Sequence, residues 1–239
     1  MLSFAMMRPS LKDHLLDLVF PSLCAGCGAH CPAPLCGSCA LSLSRRAVRG
    51  ESDLSTPGHT VAFGGFRAAG DYRGALKDMV LRLKDSERRL AAPLAALMLA
   101  AAGNEPGYLF PSAITYVPST REKLARRGYN QSRLLAVEFS RLTGVPVIDA
   151  LRVAAKTADQ DSVPGRSRWS NVAGAFAASR EAPSGVVLLL DDVMTTGATA
   201  DACSRALIEA GASSVQVLVA ARAVLRRGIG KSDQTKITR

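Results

Sequence analysis

VVLLLDDVMTTGAT, Val186 to Thr199, is the stretch on which the reading of this chain turns. Aliphatic residues from Val186 to Leu190 run without a break into Asp191 and Asp192, and then into a small, hydroxyl-rich turn. An unbroken apolar run bounded by turn residues predicts a central strand covered on both faces. The carboxyl end of such a strand is where open α/β sheets take their ligands. Two adjacent carboxylates repel, and one pKa rises unless a cation or strong donors compensate. A vicinal diol supplies donors and a divalent metal supplies charge, so the pair suits a ribose ring carrying Mg2+. Thr195, Thr196, Gly197, Ala198 and Thr199 are small enough to bend tightly and gather backbone N–H groups. The helix that starts near Thr199 aims its N-terminus at the same spot, a geometry suited to phosphate. Diol acceptors and a phosphate cradle in tandem match a ribose 5-phosphate. The plainer reading is a strand followed by an Asp-capped helix. The full order of strand, two acids and T-T-G-A-T is the more specific signal. The chain has no GxxxxGK[ST], and GGFRAAG has the wrong spacing for a dinucleotide fingerprint.

Outward from this stretch, apolar strands alternate with helical patterns. AITYVP, VPVID, GVVLLL and SVQVLVAARA read as strands. RGALKDMVLRLKD places Leu76, Met79, Val80 and Leu83 on one helical face. Further helices are expected over SERRLAAPLAALMLAAAGN, Asn130 to Leu142 and Thr199 to Ala210. VAFGGFRAAGDY suggests short strands or a hairpin. The expected fold is α/β, a mostly parallel sheet flanked by helices, with a small N-terminal metal-binding module. Residues 1–45 form that module and its leading helix. Residues 46–60 read as a polar linker, 61–223 as the main domain, and 224–239 as a basic, disordered tail.

The chain has 239 residues, of which 48% are hydrophobic and 5% aromatic, so its core rests on Ala, Val and Leu. A formal net charge of +10 makes phosphorylated small molecules, nucleic acid or an acidic membrane surface plausible partners. The longest apolar run, Ala91 to Ala102, is too short to span a bilayer. The N-terminus lacks the order of charge, apolar core and cleavage site of a signal peptide. The expected compartment is the cytoplasm, where clustered cysteines mean metal more often than disulfide.

CAGCGAHCPAPLCGSC carries two C-x2-C knuckles, Cys24 with Cys27 and Cys36 with Cys39. Together they supply four thiolates for tetrahedral Zn2+ in a structural role. His30 and Cys31 are rival ligands. Cys203, in the helix after the phosphate turn, reads as a small buried apolar residue.

Val117-Pro118 closes a strand, and Ser119, Thr120 and Arg121 follow. A diphosphate leaving group develops negative charge and needs donors and cations at such a strand end. The segment Lys156 to Asn171 is long and polar, a length that suits a functional loop. Its Arg166 and Arg168 can neutralise phosphates, and Trp169 either stacks on a base or packs.

VVLLLDDVMTTGAT resembles the phosphoribosyl diphosphate (PRPP) motif of type I phosphoribosyltransferases. VPSTREKLARRGYNQS and TADQDSVPGRSRWSNVAGAF narrow the resemblance to the competence protein F (ComF) family. The family pattern has a proline where this chain has Tyr116. The resemblance implies that Asp191 and Asp192 hold the ribose hydroxyls and Thr195 to Thr199 the 5-phosphate. It makes Pro118 to Arg121 the diphosphate loop. Arg127, Gly128, Tyr129, Asn130 and Gln131 match one signature block, and Gln160, Arg168 and Asn171 another. A loop that closes over the substrate would shield an oxocarbenium-like centre from water. The implied activity is transfer or binding of phosphoribosyl with loss of diphosphate, to an unidentified nucleophilic acceptor. The second reading is a DNA-uptake protein that holds single-stranded DNA on its basic surface, with the pocket sensory or unused. The third is an adaptor with a decayed pocket, against which the intact DDVMTTGAT stands.

Overall fold

The strand that begins at Val186 does not stop at its aliphatic part but continues through both acids to Met194. The computed structural model describes residues 23–44, 47–50, 60–154, 172, 174–179 and 182–223. The first half of the chain gives α1 (Gly37–Ser44), β1 (Val48–Gly50), β2 (Gly65–Ala68), α2 (Gly74–Asp85), a 3-10 turn at Arg88–Leu90, α3 (Ala91–Ala102) and α4 (Pro106–Leu109). The second half gives β3 (Ala113–Tyr116), α5 (Arg121–Arg127), α6 (Gln131–Thr143), β4 (Leu151–Val153), β5 (Phe176–Ala178), β6 (Val186–Met194), α7 (Ala198–Glu209) and β7 (Ser214–Arg222).

The main sheet runs β1-β2-β7-β6-β3, parallel except for β1 at one edge. A smaller antiparallel pair joins β4 to β5. Strand alternation divides the core into two layers. Leu188 and Leu190 face α2, α3 and α6, where Leu83, Leu94, Met98, Leu135 and Phe139 meet them. Val187 and Leu189 face α7, with Cys203 and Leu207. Both faces of the sheet are covered, so the parallel α/β class expected from the sequence is what the chain adopts. Small residues along α3 let it pack close to α6. Cys203 is fully buried in the second layer.

Several local expectations differ. Residues 48–50 of the expected linker form the edge strand β1, paired antiparallel with β2. No hairpin forms over residues 61–72; β2 instead pairs in parallel with β7. VPVID contributes a single bridge beside β3, where Ile114 N–H donates to Pro146 O and Ile148 N–H to Ile114 O. The cysteine-rich module is not separate from the main domain: Ala25 and Leu43 enter the same core as Leu83 and Leu90. The expected N-terminal helix, the basic tail and the whole of the long polar segment Lys156 to Asn171 lie outside the described residues. Among those described, no helix is long and apolar enough to cross a membrane.

Candidate functional site

β6 delivers Asp191 and Asp192 to the carboxyl end of the sheet, and their surroundings differ. Asp191 is half-buried; its Oδ1 accepts from Ser132 Oγ at 2.8 Å and from the Asp192 amide at 2.8 Å. Burial, and then the neighbouring Asp192 charge, push its carboxyl up to about 7. Asp192 is only 5% exposed. Lys84 Nζ, at the end of α2, stands 3.1 Å from its Oδ2. The contact is a charge pair without hydrogen-bond alignment, and no other described donor reaches that oxygen. Of the two acids, Asp192 already has a cation beside it. Neither Lys84 nor Ser132 emerged from the sequence. Lys84 reads as an ordinary charge on a helix, and Ser132 as a helix-start residue.

Beyond Met194 the chain bends through Thr195 and Thr196 to Gly197, whose φ of +87° and ψ of −2° suit glycine. No side chain caps α7. Among the described residues, the amides of Thr195, Thr196, Gly197 and Thr199 donate to no protein acceptor, and Ala198 N–H makes only a 3.4 Å bond to Thr196 Oγ1. A helix start left in this state has donors that an anion can accept from. The cavity beneath the bend, between Asp191, Val217 and Val219, measures about 40 Å3. That volume admits water but not a sugar, so a ligand the size of a ribose phosphate would have to lie outside it.

The Pro118–Arg121 segment runs beside the same strand end, since Val117 N–H donates to Leu190 O at 3.0 Å. Pro118, Ser119 and Thr120 are half-buried and Arg121 is exposed. Thr120 Oγ1 caps α5 by accepting from Lys123 N–H. The signature block forms a brace behind this segment. Asn130 Oδ1 caps α6 by accepting from the Ser132 and Arg133 amides, while its Nδ2 donates to Val117 O. Arg127 Nη1 donates to Gln131 Oε1 at 3.0 Å. Gly128, with φ of +73°, ends α5. The Tyr129 hydroxyl donates to Leu83 O, and Arg88 stacks 4.5 Å from the Tyr129 ring centre. Tyr116 turns away and donates to Asp149 Oδ1 at 2.6 Å. Gln160, Arg166, Arg168, Trp169 and Asn171 lie outside the described residues.

The sulfur atoms of Cys24, Cys27, Cys36 and Cys39 all lie within 4.8 Å of one another. His30 and Cys31 do not join them. Instead, His30 bridges Leu23 across the first knuckle. Gly26 N–H and Cys36 N–H point at Cys24 Sγ, at 3.4 and 3.2 Å. A Cβ at Gly26 would come within 2.9 Å of Cys39 Sγ, so this glycine lets the knuckles close. The Ser38 hydroxyl holds the Cys36 thiol down to about 6, whereas burial pushes Cys39 up to about 12. Four thiols so gathered are compatible with structural zinc. Among the described residues, no other group of three or more acids, cysteines or histidines converges in this way. Asp191 and Asp192 are a pair only, so a cation held by them among the described residues would take further oxygens from a ligand.

The sequence is 30% identical over 217 residues to competence protein F of Haemophilus influenzae, covering 87% of this chain and 93% of that protein. It is 32% identical over 152 residues to the DNA utilization protein YhgH of Escherichia coli K12, covering 62% of this chain and 67% of that one. Among solved structures, glutamine PRPP amidotransferase of B. subtilis, complexed with ADP and GMP, gives a TM-score of 0.37 at 22% identity. That match spans 54% of this chain and 26% of the other, too slight a likeness to bear on the fold or the site. No family model matches. Identity at this level, across nearly the whole of both chains, places the protein in the competence protein F family.

Proposed function

We propose that the protein binds PRPP at the carboxyl end of β6 and transfers its phosphoribosyl group to a nitrogen nucleophile, with loss of diphosphate. The observation that carries this reading is the meeting of two kinds of group at one strand end. Carboxylate oxygens of Asp191 and Asp192 stand beside backbone amides that donate to nothing in the described protein. The acids would accept from the ribose hydroxyls, and the amides of Thr195 to Thr199 would hold the 5-phosphate. Ser119, Thr120 and Arg121 would face the diphosphate. Arg168, with Gln160 and Asn171, belongs to the segment that would cover it.

In the reaction the bond from C1 to the diphosphate oxygen breaks, and its electron pair leaves with diphosphate. The nucleophile's lone pair forms the new bond to C1, and its N–H proton is released. Mg2+ would arrive on the oxygens of PRPP and neutralise part of the diphosphate charge. The negative field of the two acids favours positive charge on the ribose ring, and catalysis is mainly positioning and charge stabilisation. PRPP with Mg2+ is expected to raise the melting temperature, and the double change Asp191→Asn with Asp192→Asn to abolish the rise. A wild-type protein whose melting PRPP does not move would contradict this reading.

The second reading, single-stranded DNA on a basic surface, is favoured by the +10 charge and by a relative named for DNA utilization. It requires an affinity that falls steeply as salt rises. Binding that is absent, or indifferent to salt, counts against it.

A further inference from the structure

Three successive residues at the end of α2 are each tied to a different part of the molecule. Arg82 Nη1 donates to Ala25 O, in the cysteine knuckle, at 3.3 Å, while its other nitrogens grip Glu87 at 2.6 and 2.8 Å. Leu83 O accepts from the Tyr129 hydroxyl, at the brace behind the Pro118–Arg121 segment. Lys84 Nζ stands 3.1 Å from Asp192 Oδ2. A lysine stem is flexible, but this one springs from backbone pinned just before it. Its side chain is 22% exposed and that of Asp192 is 7% exposed, so the charges meet largely out of water. The field of Lys84 reaches Asp191 as well.

We propose that Lys84 is a positioning residue for the acid pair, a resident monovalent cation that neutralises Asp192. The inference rests on the PRPP reading and adds a specific electrostatic role to it. With Lys84 in place, the pair presents one negative charge fewer to an incoming polyanion. Mg2+ then serves the diphosphate of PRPP and is not needed to quench the carboxylates. Without Lys84, the two acids repel PRPP until additional Mg2+ screens them. The α2 end, held by the cysteine knuckle on one side and Tyr129 on the other, keeps this cation in place.

The test is calorimetric PRPP binding at low and at high free Mg2+, read as the ratio of the two affinities. Wild type gives the reference ratio, and Lys84→Arg is expected to match it. Lys84→Met is expected to steepen the ratio on the order of tenfold, losing affinity mainly at low Mg2+. Because Lys84→Met leaves a buried carboxylate unpaired, a second comparison avoids that hazard to folding. Asp192→Asn alone is expected to have a shallower ratio than Asp192→Asn combined with Lys84→Met. Equal ratios in that comparison, or a folded Lys84→Met with the wild-type ratio, overturn the role of Lys84 while leaving PRPP binding intact. Wild type that binds no PRPP at either Mg2+ level overturns the PRPP reading itself, and this inference with it.

Discussion

Ser132 Oγ donates to Asp191 Oδ1 at 2.8 Å, tying the first turn of α6 to the carboxyl end of β6. The same turn is fixed by Asn130, whose amide group also holds Val117 O. Two side chains of one turn, Ser132 and Asn130, thus orient Asp191 and the Val117 segment together. Ser132→Ala is expected to lower stability by about 1 kcal/mol, the net worth of one hydrogen bond. It is also expected to weaken PRPP binding several-fold, because Asp191 loses the donor that fixes its carboxylate. Chemical denaturation and calorimetry measure the two effects separately. Unchanged PRPP affinity would show that the bond has no bearing on the ligand.

Asp191 also sets a pH dependence. Its carboxyl is raised to about 7, first by burial and then by the Asp192 charge. A folded-state pKa above the unfolded value means that the protonated form is favoured by folding. This stabilisation is complete below the ordinary carboxylate range and is lost as pH rises through about 7. Relative to Asp191→Asn, wild type is therefore expected to lose stability between about pH 4 and about pH 7. Urea denaturation of both proteins across that window checks the sign. A constant difference would mean that the Asp191 carboxyl is not perturbed.

Much of this arrangement is legible in the sequence because it is local. The apolar run to Leu190, the acids and the small bend are consecutive, so strand, site and helix start can be read in order. The four cysteines are equally plain, since their spacing alone brings them within range. Lys84 and Ser132 are not legible, because their partners lie far along the chain and each is unremarkable in its own helix. The edge strand β1 escapes for a related reason. Val48 to Gly50 has no alternating pattern of its own and becomes a strand only by pairing with β2. The sharing of one core by Ala25, Leu43 and Leu83 likewise depends on tertiary packing that no local composition announces.

Gly197 provides a conformational test. At φ of +87° a side chain is strained, and Gly197→Ala is expected to cost about 1–2 kcal/mol. If the bend cradles the 5-phosphate, the same change weakens PRPP binding beyond what the stability loss explains. Binding at the wild-type level in the folded variant would move the phosphate elsewhere.

The cysteine cluster should bind one zinc per chain, measurable by metal analysis of protein purified without chelator. Cys36→Ser is expected to abolish stoichiometric zinc. Because Ala25 and Leu43 share the main core, chelation should lower the melting of the whole domain rather than release an independent module. A melting curve untouched by complete metal removal would rule out a structural role.

Tyr129→Phe removes the hydroxyl that reaches Leu83 O while keeping the ring beside Arg88. The expected loss is about 1 kcal/mol of stability, with the freed carbonyl at the end of α2 left short of a donor. Thermal and urea unfolding would register it, and wild-type stability would make the contact incidental.

Helix α7 opens on Gly197 with no side chain to close its first turn. Serine or aspartate at an ordinary helix start caps it with a side-chain oxygen, worth about a few tenths of a kcal/mol over glycine. Here a self-supplied cap would occupy the very groups that an anion needs. Under the PRPP reading, sturdiness of the empty protein and grip on a phosphorylated guest compete at this turn.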